Sequence, residues 1–313
     1  MSKNILIISD GIPGHVNQSR GMATLLGTKF ELSVIEVELK YKSYFFRSPI
    51  QIISRFMCRI MNDFSAKVIM SLHQTIEVND YDLIIAAGGN TASISAAMKN
   101  KYSIPVVQLG SPRKGINPNL FNVLITVEKY FDHYANVVTD ITPNLYSPLI
   151  CSTAAKQEMV VEHYLYLIGG TGIGYSYNSD EWDNLISNII KINKSDNIPI
   201  SIVTSRRTDP SVERKLATQL SDFDISASVW FHKGDQDFNL AALLGAANKV
   251  FVTEDSAMMI SESISSGKPV TTLYPSKINS PLRYKKHIQK YEDLKYITRQ
   301  PITSFTNNFF NDS

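Results

Sequence analysis

Arg206 and Arg207 stand side by side in Thr204-Ser205-Arg206-Arg207-Thr208, with hydroxyl residues on both flanks. Guanidinium groups fork onto phosphate oxygens, and Ser205 adds a neutral donor, so this run has the makeup of a phosphate site. A second cluster, Thr253-Glu254-Asp255-Ser256, is followed by Met258 and, six positions after Ser256, by Glu262. A carboxylate accepts hydrogen bonds from two neighbouring hydroxyls, as a ribose presents them, and Glu262 is the candidate for that role beside Asp255, Ser256 and Met258. The structural alternative is that Asp255 or Ser256 caps a helix and Glu262 is a surface charge. The run Gly169-Gly170-Thr171-Gly172-Ile173-Gly174 can cradle a phosphate on backbone amides. It is not a P-loop, since no Gly-Lys-Ser/Thr follows, and it is no full dinucleotide fingerprint.

The amino-terminal half carries its own polar loops. Gly11 to Gln18 includes Gly14, His15, Asn17 and Gln18. A histidine's unperturbed pKa near neutrality makes His15 the candidate general base, and a helix opening near Asn17 would aim its N–H groups into the same space. The alternative is that Asn17 caps the helix and His15 is a surface residue. Gly88-Gly89-Asn90-Thr91 is either a backbone-lined pocket or a tight turn capped by Thr91. Arg113 and Lys114, after Gly110-Ser111-Pro112, can hold a carboxylate or phosphate or form a solvated basic loop. Asp235-Gln236-Asp237 has a metal-binding spacing but too few assured oxygens for a hard cation, so no metal site is expected.

These loops need elements to hold them. Short continuous apolar runs at Asn4–Ser9, Phe30–Val37, Leu83–Ala87, Pro105–Leu109 and Val123–Val127 suit strands buried on both faces of a parallel sheet. Helical stretches at Asn17–Leu26 and Thr91–Lys99 lie between them. The pattern restarts after Thr142–Glu162, which lacks clear periodicity, holds two prolines and reads as a linker. Strands are expected at Tyr164–Ile168, Pro199–Thr204, Ser226–Phe231, Lys249–Val252 and Val270–Leu273, with helices at Trp182–Asn193, Asp209–Leu220 and Ser256–Ser265. The fold class is therefore α/β, with two doubly wound Rossmann-like domains, 1–150 and 151–313, expected to leave a cleft between them. A C-terminal helix returning to the first domain is a further expectation. In such sheets ligands bind beyond the carboxyl ends of the strands, where the polar loops lie.

With 43% hydrophobic and 19% charged residues, the 313-residue chain suits a folded protein with a sizeable core. A net charge of +2 argues against bulk nucleic-acid binding. Cys58 and Cys151 suggest neither a disulfide framework nor a metal cluster. The N-terminal apolar run stops at Asp10, short of a signal peptide, and no run is long enough to span a bilayer, so a cytoplasmic location is expected. Lys40 to Arg59 mixes cations with Tyr44, Phe45, Phe46, Ile50, Ile53 and Phe56. Such a segment can lie on an anionic bilayer surface, giving weak peripheral association, or fold as a core helix with solvated lysines.

Assembled, the motifs GIPGHVNQ, AAGGNTASIS, VVQLGSPR with TVEKYFDH, IGGTG, TSRRT and VTEDSAMMISESISSGKPV resemble the elongated-mitochondria family. That family has plant mitochondrial-fission members and many bacterial members regarded as glycosyltransferases. The last motif is similar to its Thr-Ala-Asp-Ser, Ser-Glu-Ala, Gly-Lys-Pro-Val pattern and is the most specific of the set. The resemblance covers most of the chain and implies a GT-B glycosyltransferase. Gly170, Thr171, Gly172, Ser205, Arg206 and Arg207 would meet the diphosphate of a nucleotide-sugar donor in the second domain, with Glu262 on its ribose. Gly14, His15, Asn17, Gln18, Gly89, Asn90 and Arg113 would meet a glycan or lipid-linked acceptor, such as a lipopolysaccharide precursor, with His15 as base. No metal or other cofactor is implied. Where the family often has Asn-Pro-Tyr, this chain reads Asp237-Phe238-Asn239-Leu240, and plant members lack a histidine at the position of His15. Two other readings accompany this one. One is a non-catalytic scaffold of the same fold at a membrane. The other is a nucleotide-sugar epimerase, for which Glu128 and His133 could supply an acid–base pair.

Overall fold

The computed structural model describes residues 2–42, 47–77, 79–112, 114–129, 135–234 and 238–307. The chain divides into two compact units, Met1–Leu145 and Tyr146–Ser313.

The first unit runs β1 (Lys3–Ser9), α1 (Pro13–Gly27), β2 (Leu32–Glu38), α2 (Arg47–Met57), α3 (Asp63–Ser71), β3 (Leu83–Ala87), α4 (Ala92–Tyr102), β4 (Val106–Leu109), β5 (Val123–Thr126) and β6 (Asn136–Val138). The strands form one parallel sheet in the order β2-β1-β3-β4-β5-β6. The unbroken apolar runs follow from helices on both faces. Along β1, Leu6 and Ile8 enter one core with Ile84, Ala86, Ile94 and Met98, while Ile5 and Ile7 enter the other with Ala23, Ile85 and Leu109.

The second unit runs α5 (Pro148–Gln157), β7 (His163–Ile168), β8 (Tyr175–Ser176), α6 (Ser179–Asp196), β9 (Ile200–Thr204), α7 (Pro210–Gln219), β10 (Ile225–Val229), α8 (Leu240–Ala246), β11 (Ala247–Thr253), α9 (Ala257–Ser265), β12 (Val270–Tyr274), β13 (Lys277–Ile278), α10 (Leu282–Asp293) and β14 (Thr298–Pro301). Six strands form a parallel sheet in the order β10-β9-β7-β11-β12-β14, and β8 pairs antiparallel with β13. On one sheet face Tyr166 stacks on Phe251 at 4.8 Å, and Phe305 of the tail packs against both rings.

Several expectations need correction. The supposed linker Thr142–Glu162 contains α5: Pro148 opens it at N1 and the Ser147 hydroxyl accepts from Ile150 N–H, so a proline read as a breaker is a helix start. Helix α1 begins at Pro13, not near Asn17, which places Gly14 and His15 in its first turn and leaves Asn17 no capping role. Helix α6 starts at Ser179 behind a capping box of Asn178 and Glu181. Helix α10 packs within the second unit, where the Tyr291 and Ser261 hydroxyls lie 2.9 Å apart.

Candidate functional site

In a doubly wound sheet the crevice opens where the strand order reverses, beyond the carboxyl ends of the two central strands. In the first unit these are β1 and β3. Asp10 follows β1 directly, and His15 stands in the first turn of α1. The His15 Nδ1 lies 3.0 Å from Asp10 Oδ2 and 3.1 Å from Oδ1. With an ionised carboxylate as acceptor, Nδ1 carries the proton, and in the neutral form of the ring Nε2 is left with the lone pair. From the end of β3, Asn90 Nδ2 donates to Asp10 Oδ2 at 2.8 Å. Burial pushes the Asp10 carboxyl up, but hydrogen bonding and charge from His15, the Asn90 amide and the Ile12 N–H carry it below the ordinary aspartate value. Gly88 supplies the floor: its φ is +78°, and a Cβ there would lie 2.3 Å from the His15 ring.

Asp10 was not singled out from the sequence, since a carboxylate after a strand also serves as an ordinary turn residue. Gly89 and Asn90 line a small hollow with Tyr41, Gln51, Arg55 and His73. Asn17 and Gln18 lie half-buried further along α1. The Thr91 hydroxyl makes no cap hydrogen bond; it turns back to Ala87 and Gly88 carbonyls at 2.9 and 3.1 Å. Arg113, His133 and Asp235–Asp237 lie outside the described residues. Among the described residues no three His, Cys, Asp or Glu side chains gather as a metal-ligand set.

In the second unit the order reverses between β7 and β11. The loops after β7, β9 and β11 are tied into one floor. The Thr208 hydroxyl bonds the Ile168 and Gly169 carbonyls, both at 2.8 Å. The Thr253 hydroxyl accepts from Gly169 N–H and donates to Asp255 Oδ1, both at 2.7 Å. Arg207 Nε reaches Asp255 Oδ2 at 3.2 Å. Burial raises the fully enclosed Asp255 carboxyl, and Arg207 and Thr253 oppose that rise. Gly170 is there for close approach: a Cβ on it would lie 1.9 Å from the Arg207 carbonyl oxygen.

The roles expected of this set therefore separate. Asp255 is sealed inside the floor. Ser205 closes its own turn, its hydroxyl accepting from Arg207 N–H at 3.2 Å. Ser256 caps α9, accepting from Met259 N–H at 3.5 Å. Arg206 and Thr171 are exposed, and Gly172 and Met258 are half-buried. Glu262 is buried on α9, and its charge adds to the burial that raises Tyr146. The remaining acid of the turn, Glu254, is structural: Arg299 grips both its oxygens, at 2.7 and 2.9 Å, and Thr272 donates to Oε1 at 2.7 Å.

Beside this floor a cavity of about 440 Å³ is lined by Gly170, Thr171, Trp182, Arg207, Ser211 and Lys215, among others. Ser179 at the start of α6 and Asp209, the cap of α7, also border it, so two helix amino ends open on one space. Lys215 forms an ion pair with Asp183 at its rim. The sequence did not point to Lys215, which reads as one more solvated lysine of an amphipathic helix.

A family model described as mitochondrial fission ELM1 matches residues 13–308. The uncharacterized protein RP120 of Rickettsia prowazekii (strain Madrid E) is 24% identical over 334 residues, which cover 93% of this chain and 89% of that protein. Among solved structures, the UDP-GlcNAc 2-epimerase of Methanocaldococcus jannaschii superposes with a TM-score of 0.54 at 12% identity, covering 96% of this chain and 89% of that one. The E. coli heptosyltransferase WaaC, solved with ADP-2-deoxy-2-fluoro heptose, gives 0.50 at 12% identity, covering 95% and 92%. At such identity the likeness speaks to fold, and that fold is GT-B. By the match over nearly its whole length, the chain belongs to the mitochondrial fission ELM1 family.

Proposed function

We propose that the chain is a glycosyltransferase. It takes a sugar from a nucleoside-diphosphate donor held by the second unit and passes it to a hydroxyl of a glycan or lipid-linked acceptor, as in cell-envelope polysaccharide or lipopolysaccharide synthesis. The observation that carries this reading is the cavity beside the glycine floor, where Arg207, Lys215 and two helix amino ends supply positive charge to one space. A diphosphate is the ligand such a space suits. Gly170, Thr171, Gly172, Ser205 and Arg206 would complete its surroundings, with Asp255, Ser256 and Met258 shaping the floor. Glu262 would accept the ribose hydroxyls.

His15, oriented by Asp10, is the base of this scheme. Its Nε2 takes the proton of the acceptor hydroxyl while that oxygen bonds to the anomeric carbon, and the bond from that carbon to the diphosphate breaks. Gly14, Asn17, Gln18, Gly89, Asn90 and Arg113 would position the acceptor. The leaving diphosphate is stabilised by fixed cations and helix dipoles, so the reaction runs without a divalent cation. A lipid-linked acceptor would bring the chain to a membrane surface. No helix among the described residues is long and apolar enough to cross one. Helix α2 and the turn after it nevertheless expose Ile52, Ile53, Phe56 and Ile60 beside Arg59, a face suited to weak attachment on anionic lipid.

The test is to incubate the protein with UDP-, GDP-, ADP- and dTDP-sugars, with and without a lipid-linked glycan fraction and with and without EDTA. Sugar incorporation that needs the acceptor and survives EDTA is expected. Conversion of the donor alone would instead favour the epimerase. Neither incorporation nor conversion of any donor would favour the scaffold.

A further inference from the structure

A second cavity, of about 420 Å³, lies at the opposite end of the same sheet. Lys249, Lys268 and Lys295 line it, together with Thr271, Thr298 and the apolar walls of Ile264, Pro269, Val270, Tyr296 and Ile297; among the described residues no acidic one does. It opens at the amino ends of β11, β12 and β14. Along β11, Lys249 is six residues of extended chain, about 20 Å, from Asp255.

Two features mark it as more than a basic hollow. Lys249 is 3% exposed, so its charge sits in the wall of the cavity, largely sealed from water and little screened by salt. Its Nζ lies 3.5 Å from the Asn307 carbonyl oxygen and 5.2 Å from the centre of the Phe251 ring. The Asp196 carboxylate acts on it from a distance, itself held by Tyr164 at 2.9 Å and Asn307 at 2.7 Å. Burial still brings the Lys249 ammonium down to about 8. Thr271 is fully buried, yet among the described residues its hydroxyl has no hydrogen-bond partner. A buried hydroxyl left unpaired is uncommon and costly, and here it belongs to the lining of a cationic cavity.

We infer that this cavity is a binding site, separate from the nucleotide-sugar site, for a small phosphorylated molecule. Lys249, Lys268 and Lys295 supply the positive charge for the phosphate oxygens, and Thr271 forms part of the wall behind them. The cavity is larger than a bare phosphate needs, and its apolar walls suit a compact organic body attached to one. The inference does not depend on the transfer reaction.

The experiment is calorimetric titration with inorganic phosphate, a hexose 6-phosphate and the unphosphorylated hexose. It uses the wild-type chain, Lys249→Met, Lys268→Ala, and a donor-site double variant, Arg206→Ala with Glu262→Gln. Both phosphates should bind the wild type and the hexose should not. If the organic body contributes, the hexose 6-phosphate binds more tightly than inorganic phosphate; equal affinities would overturn the inferred organic ligand and leave a plain phosphate site. Lys249→Met and Lys268→Ala should each weaken binding by about tenfold or more, the worth of a hydrogen bond to a charged group. The donor-site double variant should bind like the wild type. The inference is overturned if folded wild-type protein binds neither phosphate, if both lysine variants bind unchanged, or if binding disappears in the donor-site double variant.

Discussion

Asp10 fixes the orientation of the His15 ring, and in the proposed transfer this is what would make His15 a base. With Nδ1 held on the carboxylate, the neutral ring leaves its lone pair on Nε2. Asp10→Asn removes the charge that selects this tautomer while keeping the size. It should lower kcat by about 10²–10⁴ with nucleotide affinity unchanged, because Asp10 acts through His15 and not on the donor. Stability should move too. An unfolded aspartate takes its proton near about 3.9, and the folded Asp10 only at lower pH, so between those values the unfolded chain binds more protons. The carboxylate's contribution is present above the ordinary value and lost as pH falls through the depressed one. Acid unfolding of Asp10→Asn, followed by circular dichroism, should therefore be shallower than that of wild type. At this scale the sequence exposed residue types but not partnerships: His15 and Arg207 were legible, while Asp10 beneath the one and the buried Asp255 beneath the other needed the strand order.

At the scale of elements, prolines show why some boundaries could be read and others not. Pro13, Pro148 and Pro210 all stand in the first turn of a helix, where a missing N–H costs nothing. Before Pro210 the apolar strand run Pro199–Thr204 and the amphipathic stretch Asp209–Leu220 mark the start; around Pro148 no strong apolar period does, and the segment of α5 reads as a linker. Helix α2 shows a different difficulty. Its segment reads as either a membrane-surface segment or a core helix; the helix buries Ile50 and Ser54, while Ile52 and Phe56 stand 59% and 56% exposed. Substituting Ile52→Glu together with Phe56→Glu should abolish sedimentation with vesicles containing anionic lipid and leave folding intact, since both side chains already face solvent. Equal sedimentation of wild type and variant, or none by wild type, would remove the membrane surface from the account.

At the scale of the molecule, the twofold recurrence of strand-loop-helix units was legible because parallel strands buried on both faces must be continuously apolar. The periphery was not. Edge strand β14 reads Thr298-Arg299-Gln300-Pro301, β6 has three residues, and α10 carries more charge than apolar stripe. None meets the period that marks a core element. The central claim concerns the second unit, that its glycine floor and cationic cavity hold a nucleoside diphosphate. The most direct test is calorimetric titration with UDP, GDP, ADP and dTDP, beside the double variant Arg206→Ala with Glu262→Gln shown to be folded by circular dichroism. One nucleotide should bind selectively and lose about tenfold or more of its affinity in the variant, as expected when hydrogen bonds to charged groups are removed. No binding of any nucleotide by the folded wild-type chain, or equal affinity in the variant, would contradict it.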